Sequence, residues 1–280
     1  YDTVSFHSLK NMIITNDSGY LLSGHVNYGS NGQYKDLYLL KFDSLGNKVW
    51  YKRISNTHNQ GHVIQTRSND FLIVGSQKLP SSEYIGYVGK FDENGNKLWE
   101  RYYNDSIGTS PTVFVNAIQL EDDNFVVTGS SNNNLDGINT YIAKINKDNG
   151  KVEWNRNYNY FGGLSHSYLI DLKLTSQFDL IGTGQAIPVG IQNNTRSDMF
   201  VIKMDSCGYI ESSGLEANFS HSVDTMNNIV SFDNKSTDYC TSYWSFGNSN
   251  SSSVQNPQYS YPDSGNYNVR LVVRAGNSLD

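Results

Sequence analysis

Apolar and polar residues alternate along this chain in short runs, and turns rich in Gly, Asn, Asp and Ser separate the runs. A period of two predicts half-buried strands, not helices. The first such set is Leu9–Thr15, the turn Asn16–Gly19, Tyr20–Val26, a Gly/Asn/Ser loop, Asp36–Asp43, the turn Ser44–Asn47, and Lys48–Ile54. The order then recurs. The second set is His62–Thr66, Phe71–Gly75, Tyr84–Asp92 and Lys97–Tyr103; the third is Val113–Leu120, Phe125–Gly129, Thr140–Asn146 and Lys151–Tyr158. A fourth has Tyr168–Leu174, Asp179–Gly184 and Asp198–Asp205, then a weak last strand at Gly208–Ser212.

Two residue types mark the period. Gly24, Gly75, Gly129 and Gly184, read as closing each second strand, recur at intervals of 51, 54 and 55 residues. Trp50, Trp99 and Trp154 stand at one place in each last strand, 49 and 55 residues apart. One four-stranded unit per repeat of about 50 residues is the signature of a β-propeller blade. A lone four-stranded sheet cannot cover both its faces, whereas blades stacked around an axis cover each other. The tryptophan would fill the gap between neighbours. The expectation is an all-β fold with four visible four-stranded repeats, at about 8–57, 58–105, 106–159 and 160–214, the propeller spanning 1–214. A solenoid of sheets is the competing architecture. Residues 1–6 align with the segment that follows a repeat's tryptophan. They are either the tail of an earlier blade in a larger ring, the reading favoured, or the outer strand that the fourth unit lacks.

After Gly214 the period stops. Ile229–Phe232, Ser242–Gly247 and Tyr267–Arg274 read as strands, the last placing Val269, Leu271 and Val273 on one face. The segment Tyr243-Trp244-Ser245-Phe246-Gly247-Asn248, followed by Asn256-Pro257, Tyr261 and Gly265-Asn266-Tyr267-Asn268-Val269, resembles the PKD domain, an immunoglobulin-like module. Trp244, Phe246, Gly247, Asn256, Pro257, Tyr261, Gly265, Tyr267 and Val269 carry the likeness. Ser245 and Asn248 replace the family's two aspartates, so no cation or ligand role carries over to that loop. The resemblance implies a small β-sandwich over 215–280, with a further strand expected beyond Asp280. PKD modules are extracellular spacers and adhesion modules. A Tyr- and Asn-rich propeller joined to one resembles, more loosely, bacterial surface proteins exported by type IX secretion.

Composition narrows the function. The chain has 280 residues, 21 Lys and Arg against 27 Asp and Glu, and a formal net charge of −6. A mildly acidic, cation-poor surface argues against nucleic acid, which needs clustered Lys and Arg. No apolar run reaches the roughly 20 residues of a membrane-spanning helix. Low charge and abundant Tyr, Asn and Ser suit an extracellular or cell-surface protein, exported by a leader outside these residues. Cys207 and Cys240 are too few for a CxxC-type metal or redox site. They either form one disulfide across the domain junction or remain two separate thiols.

No catalytic, cofactor or metal constellation is expected. The turns at Asp43–Gly46, Asp92–Gly95 and Asp148–Gly150 lack the spaced carboxylates of a calcium loop and use residues that β-turns select. The repeat resembles the tryptophan-docking repeat of quinoprotein propellers, where it is structural and transfers no catalytic residue. It resembles the sialidase Asp-box less well, and Arg53, Arg101 and Arg156 read as solvated strand residues. His7, His25, His58, His62, His166 and His221 are scattered, and nucleophile elbows are absent. Asp-Ser/Thr-apolar triplets at Thr3, Ser44, Ser106, Ser206 and Thr225 resemble bacterial O-glycosylation sites; turn chemistry and chance are the alternative. The functional expectation is a non-enzymatic binding or structural protein in adhesion, surface assembly or polysaccharide contact. Its partners would be other surface proteins or polysaccharide, met by tyrosines in the loops 27–35 and 158–168. The alternative is a secreted propeller enzyme, a glycan-active hydrolase or quinone-dependent oxidoreductase, with its site in the channel or in sequence beyond these residues.

Overall fold

A computed structural model describes residues 8–28, 34–55, 57–79, 83–103, 111–133, 137–159, 165–175, 179–188, 197–205, 207–210, 215–226, 228–237, 239, 241–275 and 278–279. Among the described residues the fold is all-β, without a helix. The chain divides into two compact units, 1–173 with 182–202 and 174–181 with 203–280.

The first unit is built of blades. Blade one has β1 (Ser8–Ile14), β2 (Tyr20–Tyr28), β3 (Tyr34–Phe42) and β4 (Lys48–Ile54). Blade two has β5 (Thr57–Gln65), β6 (Phe71–Lys78), β7 (Tyr84–Phe91) and β8 (Lys97–Tyr103). Each is an antiparallel meander in chain order. In blade three, β9 (Pro111–Gln119), β10 (Phe125–Asn133), β11 (Gly137–Ile145) and β12 (Val152–Tyr158) repeat the plan. The fourth repeat differs from expectation. It has three described strands, β13 (Ser165–Leu174), β14 (Leu180–Pro188) and β15 (Asp198–Met204). Gly208–Ile210, expected to begin a fourth, are not in a strand, and residues 211–214 lie outside the described residues. β13 joins the sheet of blade three by a short parallel pairing of Gly137 and Ile138 with Ser165 and His166, beyond the end of β12.

Blades stack because each sheet is apolar on both faces. Leu21, Leu37, Leu39 and Ile54 of blade one form a core with Val63, Phe71, Ile73, Tyr87 and Phe91 of blade two. The opposite face of blade two, with Leu72, Val74, Val88 and Tyr103, packs on Phe114, Ala117, Phe125, Val127, Tyr141, Ala143 and Ile145 of blade three. Each such side chain, fully buried, contributes about 1.5–3 kcal/mol. β6 is accordingly a buried run from Phe71 to Ser76, the pattern of a strand covered on both sides.

The marker glycines do not close the second strands; all four lie inside β2, β6, β10 and β14, which run on past them. Their role is to admit a bulge. The first strand of blades one, two and three slips register opposite the glycine, at Leu9/Asn11, around Gln60, and at Phe114/Asn116. A Cβ on Gly24, Gly129 or Gly184 would collide with the main-chain carbonyl of Ser8, Val113 or Tyr168.

A second repeated device lies in the third strands. Lys41, Lys90, Lys144 and Lys203 reach back to the first hairpin of their own blade. They pair with Asp17 at 2.7 Å, Asp70 at 3.0 Å, Asp122 at 2.6 Å and Asp179 at 2.8 Å. Lys41 is itself 4% exposed. A buried ammonium needs such a partner, so the pair fixes the position of the hairpin.

The second unit carries the sandwich. One sheet has β16 (Phe219–Asp224), β17 (Ile229–Asn234) and β20 (Gln258–Ser260). The other has β18 (Thr241–Ser245), β19 (Ser251–Ser252), β21 (Arg270–Ala275) and β22 (Ser278–Leu279). Its first strand begins at Phe219, ahead of the first one expected, at Ile229. Trp244, fully buried, meets Phe219 and Phe232, with Phe246, Leu271 and Val273 completing the core. Gly247 turns at φ +79°, where a Cβ would press on the Asn268 backbone. Asn248 and Asn250 both donate to the Tyr259 hydroxyl, at 2.9 and 2.7 Å. Asn248, where the PKD family has aspartate, thereby ties the turn to β20.

Candidate functional site

The turn after the third strand is built around one side chain, an aspartate in blades one and two and in the fourth repeat, and Asn146, whose Oδ1 accepts the Asp148 N–H at 3.0 Å, in blade three. Asp92 Oδ1 accepts from the backbone N–H groups of Asn94 and Asn96 at 3.0 and 2.7 Å, and Oδ2 accepts from Asn96 Nδ2 at 3.0 Å. Asp43 does the same with Leu45 and Asn47, and Asp205 accepts from Cys207 and Tyr209. The Asp43 and Asp92 carboxylates are satisfied by their own loops, so a side-chain acceptor at this place serves the turn. The Asn47 side chain, then its backbone N–H, holds the Asp43 carboxyl below the ordinary range. Desolvation opposes this at Asp92, but bonds from Asn96 prevail and lower its pKa too. Among the described residues no three His, Cys, Asp or Glu side chains gather as a metal site.

The turn also presents a flat backbone surface. Trp50 of blade one lies over Gly95 of blade two and donates Nε1–H to the Glu93 carbonyl at 3.0 Å. Trp99 of blade two lies over Gly150 of blade three and donates to the Lys147 carbonyl at 3.1 Å. A Cβ on Gly150 would stand 2.8 Å from Trp99 Cζ3, and φ there is +66°. Glycine is thus needed both for the turn and for the indole. Tyr103 adds a bond to the Gly150 carbonyl at 2.8 Å. The first hairpins are chained similarly, Gln65 and Gln119 accepting the backbone N–H of Asn16 and Arg67 from the preceding blade, each at 2.8 Å.

Trp154 is half-buried, with Arg156 over its ring, and its Nε1 has no hydrogen-bond partner among the described residues. Arg53 is not simply solvated, because it is ion-paired with fully buried Asp36. Arg101 and Arg156 reach main-chain carbonyls of Asn149 and Asn155. Among the described residues the histidines belong to no metal-type group of three. His7 and the His58 side chain lie outside the described residues, while His62 is set near Asp171 and Lys173. Tyr28 and Tyr34 belong to strands, not to the loop expected there. Cys207 is fully buried and disulfide-bonded; Cys240 lies outside the described residues. Of the glycosylation candidates, Ser44 and Thr225 are exposed, and Thr3, Ser106 and Ser206 lie outside the described residues.

Burial, with the Lys173 charge, pushes the His62 pKa down to about 4, Asp171 opposing. The unfolded chain therefore takes the proton first. The stabilisation is complete above about pH 6.5 and is lost as pH falls from there to about 4, by about 3 kcal/mol. Urea titrations across that window are expected to show the slope, and His62→Gln should flatten it. Asp17, lowered to about 2 chiefly by the hydrogen bond from Lys41 and then that from Thr15, loses its contribution only below about pH 4.

Sequence reasoning missed the Lys–Asp pairs. Their signal is the lysine at a fixed place in each otherwise apolar third strand. It also missed a groove of about 890 Å³ in the sandwich, lined by Phe219, His221, Phe232, Tyr261 and Tyr267 with Asp224 and Asp263 among its polar groups. Tyr261 and Tyr267 stack at 3.9 Å between centroids, and the Tyr267 hydroxyl donates to the Asp263 carbonyl at 2.9 Å.

The fold and these features define an all-β protein that carries propeller-type blades and an immunoglobulin-like module. Residues 215–280 match the family described as PKD domain, so this is a β-rich, PKD-bearing chain. No curated protein matches it. Among solved structures it is similar to a protein of unknown function from Bacteroides caccae, with 11% identity, TM-score 0.45 and 72% of this chain covered. The chain spans 65% of that protein's length. It is also similar to a mannose phosphorylase from Leishmania mexicana (9% identity, TM-score 0.46, 83% of this chain and 81% of that one) and to an endo-arabinase from Bacteroides thetaiotaomicron (9%, 0.45, 80% and 87%). At these scores none bears on the chemistry of this chain. No helix among the described residues is long and apolar enough to cross a membrane.

Proposed function

We propose that this protein is a non-enzymatic extracellular or cell-surface protein in which the blades are scaffold and the PKD groove contacts polysaccharide. The observation that carries this reading is the groove, where stacked Tyr261 and Tyr267 stand beside Asp224, Asp263 and His221. Aromatic faces with adjacent polar groups suit a sugar ring, which is apolar on its face and hydroxylated at its rim. Two further features agree. The Asp, Lys and Trp residues that mark the repeats serve hairpins and blade contacts, and PKD modules are extracellular. A role in adhesion or surface assembly, with export by the type IX route, is the finer form of the proposal.

Glycan-array screening followed by calorimetry tests it. Binding to a polysaccharide is expected, and Tyr267→Ala should weaken it about tenfold, or about 1.4 kcal/mol. Absence of binding to any glycan would overturn the reading. Release of sugar from the bound glycan would replace it with the enzyme alternative.

A further inference from the structure

Blade one presents a face that the other blades keep covered. In register across its strands run Met12, Leu22, Leu40 and Tyr51, and beside them Ile14, Tyr20 and Phe42. The matching rows of blade two are Val63, Ile73, Gly89 and Glu100, with Gln65, Phe71 and Phe91. Those of blade three are Ala117, Val127, Ala143 and Asn155, with Gln119, Phe125 and Ile145. In blade two, Val63, Ile73, Phe71 and Phe91 are buried against blade one, and in blade three the equivalents are buried against blade two. In blade one Met12 is 57% exposed where Val63 and Ala117 are buried, and Ile14 is 73% exposed where Gln65 and Gln119 are half-buried; Leu40 is buried, Leu22, Tyr20 and Phe42 are half-buried, and Tyr51 stands at an outer position that is open in blade three as well.

The indole dock on the same blade is empty. The Asp43 turn has the hydrogen bonds of the Asp92 turn, and Gly46 has φ +83° against +75° at Gly95. At Gly95 a Cβ would meet the Trp50 ring at 3.1 Å, whereas at Gly46 it would meet nothing within 4 Å. No hydrogen bond from a described residue reaches the Ser44 carbonyl, the counterpart of Glu93. The chain's four tryptophans are placed elsewhere. Trp50 and Trp99 dock on blades two and three, Trp154 stands in β12 and Trp244 lies in the sandwich core.

The geometry points to one occupant. Blade one's open face seats a further blade of this same repeat, carried by the same polypeptide ahead of β1, whose last-strand tryptophan lies over Gly46 and donates its indole N–H to the Ser44 carbonyl. Within the chain the handover always runs one way. The strand bearing the tryptophan leads directly into the blade on which that tryptophan docks, β4 into blade two and β8 into blade three. By that connectivity the donor to the Ser44 dock is the strand that leads into β1. A second copy meeting this face to face would cover the apolar rows and leave the dock empty. Ile14, standing where Gln65 and Gln119 accept a neighbour's turn, makes that edge of the seat apolar.

The test appends a copy of residues 57–103, the second repeat with its tryptophan, ahead of the full chain. Hydrogen exchange is followed at 8–28 and 43–47. Docking should slow exchange in both segments at least tenfold, and Trp→Ala in the appended copy should restore the original rates. Ile14→Lys, at an exposed position, should leave the unextended chain's melting unchanged and abolish the protection in the extended one. Unchanged exchange on extension would overturn the proposal. So would protection that survives the tryptophan change, or self-association of the unextended chain through Met12 and Ile14 that buries this face. None of these results depends on whether the sandwich binds a glycan.

Discussion

Replacing Trp99 with alanine is expected to lower the stability of the blade unit by about 3–5 kcal/mol, the range for an aromatic removed from a core. Trp99 packs against the core shared by blades two and three, and its indole is the polar link to the Lys147 carbonyl. The loss has two parts that a second variant separates. Trp99→Phe keeps much of the apolar contact and loses the N–H donor, so it should cost about 1–2 kcal/mol more than repacking alone would. Urea unfolding followed by far-ultraviolet circular dichroism reads both. Since stacked repeats draw stability from their nearest neighbours, the alanine variant should also separate the unfolding of blade three from that of blades one and two. A loss below about 1 kcal/mol would mean that the indole merely rests on its neighbour.

Gly129→Ala should be nearly as damaging. Space, not the glycine's backbone freedom, is what the site lacks. The added methyl would occupy the place of the Val113 carbonyl and crowd the Phe114 Cα, both main-chain atoms of the bulge in β9. Backbone cannot give way as a side-chain tip can, so the strand must shift. Overpacking of this kind costs about 1–3 kcal/mol and sometimes more. Gly265→Ala is the control. There a Cβ would meet only the Tyr267 ring, at 3.7 Å, so the effect should be neutral or stabilising by a few tenths of a kcal/mol, on the order expected for reduced unfolded-chain entropy. Equal effects at the two sites would remove the bulge from the account.

The hairpins were legible because a blade is made of local antiparallel pairs, and alternation with Asn, Asp and Gly turns reports local pairing directly. The PKD segment was legible for another reason. Trp244, Phe246, Gly247 and Tyr261 are core and turn positions with few substitutes, Tyr261 even closing a bond to the Phe246 carbonyl at 3.1 Å. What alternation does not carry is what lies across a gap. The glycines looked like strand ends because glycine weakens a strand; that a neighbouring strand arches over them is a fact of register. The Lys90 pair leaves no local mark, because its partner Asp70 sits in a separate hairpin 20 residues earlier. The parallel contact at Gly137 and Ile138 involves two residue pairs, too few to leave a pattern. The groove escaped because no local pattern reports the open space beside Phe219, Phe232 and Tyr267.

The turns at Asp43, Asp92 and Asp148 are the part of the sequence most easily taken for a ligand site. The Asp43 and Asp92 carboxylates, and Asn146 in the third turn, instead shape the turns themselves, and at Gly95 and Gly150 the turn backbone takes a neighbour's indole. The most direct test is the exchange of the indole N–H protons in the intact chain. If the docks hold neighbouring blades together, the Nε1 protons of Trp50 and Trp99 should exchange only through opening of the blade stack, and slow in step with the protein's stability as denaturant is withdrawn. Exchange of both at the rate of a free indole, indifferent to denaturant, would contradict the account.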